Sequence, residues 1–130
     1  MDVLANMLIT IKNGGNAQKD FVHVPFSGFK QSVAKALFDK GYIAGYEKKD
    51  RNRGADVIAI ELKYGKDSKP RVLNVKRVSK PSCRVYGSTK DIYQVKEGRG
   101  DLFLSTPKGV LSGDEAKKEQ VGGELLFEIW

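Results

Sequence analysis

The sequence predicts an α+β protein of two small modules: an N-terminal α/β module running helix, strand, helix, strand, strand, and a C-terminal β-rich module with one short helix. Three observations carry this. Apolar residues recur at helical spacing in two early stretches, Val3, Leu4, Met7, Leu8, Ile11 and then Phe29, Val33, Ala36, Leu37. Later apolar runs are short or alternate with polar residues, as strands do. Between the halves lies Gly65-Lys66-Asp67-Ser68-Lys69-Pro70, a polar stretch punctuated by glycine and proline. The expected boundaries are 1–64, a connector over 65–71, and 72–130.

The first helix has Asp2 as its N-cap, and Asn13-Gly14-Gly15 is expected to stop it. Its other face offers Asn6, Thr10 and Lys12. Phe21-Val22-His23-Val24-Pro25-Phe26 reads as a strand ending at proline. Ser27 caps the second helix, with Lys30 and Lys35 off its buried stripe and Gly41 as the C-terminal stop. Strands follow over 42–47 and 57–64, joined by the charged loop Lys48-Lys49-Asp50-Arg51-Asn52-Arg53-Gly54, whose cations suit either solvent or phosphate.

In the second half, 72–78 and 83–86 read as strands. Arg84 and Tyr86 share a face of the latter, placing a guanidinium beside a ring; the pair suits stacking of bases in single-stranded or looped RNA, and equally an ordinary tyrosine half-buried in a sheet beside a solvated arginine. A turn at 96–100 leads to Leu102, Phe103 and Leu104, an apolar run ending at Ser105 and Thr106, and Pro107 closes the strand because it cannot donate to a ladder. A hydroxyl-rich loop is expected there. Ser112 with Glu115 has capping-box spacing and starts a helix of about two turns. Gly122-Gly123 supplies backbone freedom for a tight turn before the terminal strand Leu125, Phe127, Ile129.

The 130 residues can bury a core. With 23 Lys and Arg against 16 Asp and Glu, the net charge of +7 favours a polyanionic partner, nucleic acid first. The basic residues are spread along the chain and form no basic amphipathic helix, which argues against a membrane surface. Cys83 is the single cysteine, so no intrachain disulfide can form, and a reducing, cytoplasmic setting is expected. His23 has no second His or Cys at ligand spacing, so no metal site is expected. Ser105-Thr106-Pro107-Lys108-Gly109 lacks the order of a P-loop, and Ser105 has no nucleophile elbow. No catalytic constellation and no cofactor signature emerges.

Several runs together match a known pattern: Lys76-Arg77-Val78-Ser79-Lys80-Pro81, Arg84-Val85-Tyr86, Leu104-Ser105-Thr106-Pro107-Lys108-Gly109-Val110, Glu115-Ala116 and Val121-Gly122-Gly123-Glu124. In order and spacing the chain resembles the bacterial small-subunit ribosomal protein eight family from end to end. Residues 2–13 resemble that family's N-terminal helix, and Lys40-Gly41-Tyr42-Ile43 its helix-to-strand junction. The resemblance implies a non-enzymatic structural constituent of the small ribosomal subunit. It implies binding to an irregular helix in the central domain of small-subunit ribosomal RNA, support of subunit assembly, neighbouring small-subunit ribosomal proteins as partners, and a place in the cytoplasmic ribosome without membrane contact. Members can also repress their own messenger RNA, which makes that messenger a candidate partner that the sequence neither supports nor excludes.

Carried onto this chain, the RNA-binding residues are Ser105, Thr106, Lys108, Gly109, Glu124, Tyr86 and Arg84, joined by Lys12 and Asn13 on the first helix. Hydroxyls and amides suit base edges or 2′-OH groups, Lys108 suits phosphate, and Glu124 is expected to orient the hydroxyl loop. Three positions depart from the family pattern: Pro107 stands where a second serine is usual, Thr10 where arginine is usual, and Gly98-Arg99-Gly100 where Gly-Leu-Gly is usual. The rival reading, an RNA-processing enzyme or assembly factor, requires a catalytic constellation that the sequence lacks.

Overall fold

A computed structural model describes residues 3–50 and 54–130. The N-cap expected at Asp2 and the loop residues Arg51, Asn52 and Arg53 lie outside the described residues. The fold is α+β, with three α-helices and two antiparallel sheets among the described residues. The chain divides into two compact units, Val3–Leu73 and Asn74–Trp130.

The first unit contains α1 (Val3–Asn16), β1 (Phe21–Pro25), α2 (Gly28–Asp39), β2 (Ile43–Lys49) and β3 (Val57–Leu62), with sheet order β1-β3-β2. Leu4, Met7, Leu8 and Ile11 of α1 are buried, as are Val22 and Val24 of β1 and Ile58, Ile60 and Leu62 of β3. Gly14 and Gly15 do not stop α1; the helix runs through them to Asn16. A Cβ on Gly14 would stand 2.4 Å from Val22 Cγ1 and one on Gly15 2.9 Å from Pro70 Cβ. The pair therefore serves close packing. Ser27 caps α2 as expected, accepting from the Lys30 N–H at 3.1 Å. Gly41, at φ +81°, closes the helix with the Tyr42 N–H bonded to Leu37 O. Two side chains of α2 differ from the predicted stripe: Phe29 is exposed, whereas Lys30 is buried with its ammonium on Pro25 O at 3.1 Å. A lysine can follow an apolar path when its head finds a carbonyl.

The second unit contains β4 (Val75–Arg77), β5 (Tyr86–Gly87), β6 (Asp101–Thr106), β7 (Gly109–Ser112), α3 (Gly113–Glu119) and β8 (Gly123–Ile129). Its sheet order is β4-β8-β6-β7, and β5 pairs β8 as well. Leu102, Leu104, Leu125, Ala116, Ile92 and Val95 form one core cluster, and Phe103, Phe127 and Ile129 are fully buried as well. The strands predicted over 72–78 and 83–86 are shorter than expected because the chain turns between them, with Lys80 and Cys83 exchanging backbone hydrogen bonds. The hydroxyl-rich loop is instead a hairpin. Ser105 and Thr106 lie in β6 and pair with Val110 and Gly109 of β7, so only Pro107 and Lys108 form the tip. Ser112 caps α3, accepting from the Glu115 N–H at 3.3 Å. Among the described residues no helix is long and apolar enough to cross a membrane.

Gly122 and Gly123 have no positive φ; the left-handed turn before β8 is made by Gln120 at φ +57°. What the two glycines supply is proximity. A Cβ on Gly122 would meet Gly87 O at 2.3 Å, and one on Gly123 would meet Ser105 O at 2.0 Å. Strands β5, β8 and β6 close up here because neither side chain intervenes.

Candidate nucleic-acid interface

That close approach builds one row across the second sheet. Tyr86 pairs with Glu124, and Glu124 with Ser105, which pairs in turn with Val110. Directly paired residues point to the same face of a sheet. The opposite face carries Leu104 and Leu125 into the core, so packing fixes which way the row looks. Tyr86 is 70% exposed, a large ring open to a stacking partner.

Glu124 is the fixed point of the row. Its Oε2 accepts from the hydroxyl of Ser79 and, at 3.0 Å, from Nη1 of Arg84. Ser79 is fully buried, and its Oγ accepts in turn from the Val85 N–H at 3.2 Å. The relay Val85 N–H, Ser79 Oγ, Glu124 Oε2 ties the base of β5 to β8 and holds Arg84 beside Tyr86. Glu124 therefore orients Arg84 and the β5 edge, and forms no hydrogen bond to Ser105 or Thr106, contrary to the role expected of it. Ser79 was not singled out from the sequence. Its only signal was its place in the run 76–81, since nothing local marks a serine as buried beneath a carboxylate 45 positions away.

The two hydroxyls of the motif are unequal. Thr106 Oγ1 donates to Gly109 O at 2.8 Å and accepts from the Lys108 N–H at 3.1 Å, closing the hairpin tip. Only one acceptor lone pair is left. Ser105 Oγ makes no hydrogen bond among the described residues and keeps its full capacity beside Glu124. At the tip, Gly109 takes φ +109° with open space around it, and Lys108 forms a 2.8 Å ion pair with Glu119 at the end of α3. The ammonium's hydrogen bond and charge hold the Glu119 carboxyl below the usual carboxylate range.

Seven of the nine predicted site residues thus belong to the second unit, on or beside this row. Lys12, half-buried, and Asn13, exposed, lie on α1 of the first unit. Thr10 spends its hydroxyl on Asn6 O at 2.6 Å. No group of three His, Cys, Asp or Glu among the described residues could hold a metal ion. The row and its flanks present an exposed ring, a carboxylate-held guanidinium, a half-buried hydroxyl and an amine. Such a surface can stack a base, accept or donate to a base edge or ribose, and neutralise phosphate.

The family model described as Ribosomal protein S8 matches residues 2–130. The chain is 43% identical over 129 residues to "Small ribosomal subunit protein uS8" of Koribacter versatilis, covering 99% of this chain and 96% of that protein. Its counterpart of the same name in Thermus aquaticus is 41% identical over 136 residues, covering 99% and 98%. That of Persephonella marina is 41% identical over 133 residues, covering 99% and 98%.

Proposed function

Because the chain belongs to the ribosomal protein S8 family, a family of structural, non-enzymatic proteins of the small ribosomal subunit, we propose that the Tyr86–Glu124–Ser105 row is its RNA-binding surface. The ligand is an irregular helix in the central domain of small-subunit ribosomal RNA, and binding there supports subunit assembly. The observation that carries the reading is the placement of a Ser105 hydroxyl, free among the described residues, and an exposed Tyr86 ring on either side of Glu124 on one sheet face. Irregular RNA offers unstacked bases that a regular duplex keeps paired and stacked. Tyr86 stacks, Ser105 reads an edge or a ribose, and Arg84 and Lys108 meet phosphate. A messenger RNA that folded into the same irregular helix would meet the same row.

The test is a titration of the protein with the central-domain helix and with a regular duplex of equal length at equal salt. The specific helix is expected to bind at least tenfold more tightly. Equal affinities would overturn the assignment.

A further inference from the structure

The first unit carries a second surface of different chemistry. On the outer face of its sheet, cross-strand pairing lines up Phe21, Glu61 and Gly45 in one row across the three strands, and His23, Ala59 and Glu47 in the next. Gly45 and Ala59, the smallest residues of this grid, leave a groove of about 270 Å³ lined by Phe21, Gly45, Tyr46, Glu47, Ala59 and Glu61, with Lys49 at one end. Glu61 leans over Gly45, whose missing Cβ would stand 3.3 Å from Glu61 Oε2. Phe21 is 52% exposed at the groove's wall. Glu47 and Glu61 form no ion pair among the described residues, although Asp39, Asp50, Asp56 and Asp67 of the same unit each have a lysine. In a protein of net charge +7, two unpaired carboxylates around an exposed ring are complementary to a cation and repel phosphate.

We propose that this sheet face docks a cationic segment of another small-subunit protein, with an arginine or lysine lying in the groove between Glu47 and Glu61. The carboxylates stand on diagonal positions of adjacent strands, a general separation of about 7–8 Å between residues and somewhat less at Cβ, which one guanidinium or ammonium can bridge. The methylene stem of the incoming side chain runs along the exposed ring of Phe21, burying apolar surface while its head meets the carboxylates. Phe21 is the aromatic anchor of the interface. The proposal rests on family membership and is independent of the RNA-binding row, which lies in the other unit.

The full-length chain carrying a benzophenone photoprobe in place of Phe21 is assembled into small subunits, irradiated, and its cross-linked peptide sequenced by mass spectrometry. A peptide of one other subunit protein, with an arginine or lysine near the attachment point, is expected. Adding Glu47→Lys and Glu61→Lys to the probe chain is expected to lower the yield per incorporated chain about tenfold or more, and Glu47→Gln with Glu61→Gln to lower it less. Cross-linking to ribosomal RNA, to a peptide without a cation, or to nothing despite incorporation would overturn the proposal, as would a yield indifferent to either pair. A titration of each free variant against the central-domain helix reads the RNA-binding row separately, and its affinity is expected to stay unchanged in the glutamine pair.

Discussion

Two adjacent hydroxyls, Ser105 and Thr106, are chemically alike and structurally unlike, and the difference is measurable. Thr106→Val removes the donor to Gly109 O and the acceptor for the Lys108 N–H, so it is expected to cost about 0.5–1.5 kcal/mol of folding stability. Ser105→Ala removes no hydrogen bond among the described residues; its stability should stay within about 0.5 kcal/mol of the parent. RNA titration should rank them the other way, with Ser105→Ala losing more discrimination between specific and regular helices. Equal losses of discrimination would show that Thr106 opens its turn to read RNA. Tyr93 offers a pH probe of the same unit. Burial and a 2.8 Å hydrogen bond to Glu128 push its phenol up to about 12. A folded-state pKa raised above the unfolded value of about 10 means that the native chain holds this proton more tightly. The contribution is fully present below pH 10 and is lost as pH rises from 10 towards 12. Urea unfolding of the parent should therefore weaken across that window more than unfolding of Tyr93→Phe.

At the scale of elements, the glycines of the second unit do two different jobs, and alanine separates them. Gly109 sits at φ +109° with nothing near its missing Cβ, so Gly109→Ala is expected to cost about 1–2 kcal/mol in backbone strain and leave the row in place. Gly123 has ordinary φ but no room. Its Cβ would lie 2.0 Å from Ser105 O, so Gly123→Ala must part β8 from β6 and is expected to cost about 1–3 kcal/mol or more, as overpacking does. RNA affinity should fall with it, because Glu124 and Ser105 are neighbours only while those strands touch. Thermal melts alongside RNA titration check both, and a Gly123→Ala chain that bound RNA normally would detach the row from the ligand. The hairpin tip is linked to α3 through Lys108 and Glu119. Phosphate must compete with that carboxylate. Glu119→Gln should free the ammonium and tighten RNA binding about two- to fivefold at low salt, an effect that fades as salt rises.

For the molecule as a whole, the charge of +7 governs encounter with RNA and the row governs choice among RNAs. Lys108→Ala should weaken specific and regular helices alike and reduce the magnitude of the log-affinity against log-salt slope by about one. Ser105→Ala should leave that slope unchanged. Titration of both variants at several salt concentrations checks the division, and a Lys108→Ala slope equal to the parent's would place this amine away from phosphate. The first unit adds a groove where Glu47 and Glu61 stand without an ion pair among the described residues, Glu61 beside Phe21. A single net charge therefore conceals two chemistries.

Amphipathic spacing, the caps at Ser27 and Ser112, the stop at Gly41 and the basic balance were all legible in the sequence, since each is set by neighbours within a turn or two or by a simple sum. The motif runs that carry the family resemblance were legible for the same reason. Contacts between distant residues were not. Asn13-Gly14-Gly15 reads locally as a helix stop, yet the helix passes through because Val22 and Pro70 need the space that a side chain would take. Gly122-Gly123 reads locally as a turn, yet it is the point where three strands close, while Gln120 makes the turn. Pro107 correctly ended β6, but the return of β7 depended on pairing across the hairpin. The identity of the side chains and their local spacing determined which elements form and what class of partner they suit. Only tertiary structure decided that Ser79 lies under Glu124, that Thr106 is spent on its own turn and that Ser105 is free, because hydrogen-bond partners are assigned by proximity in space.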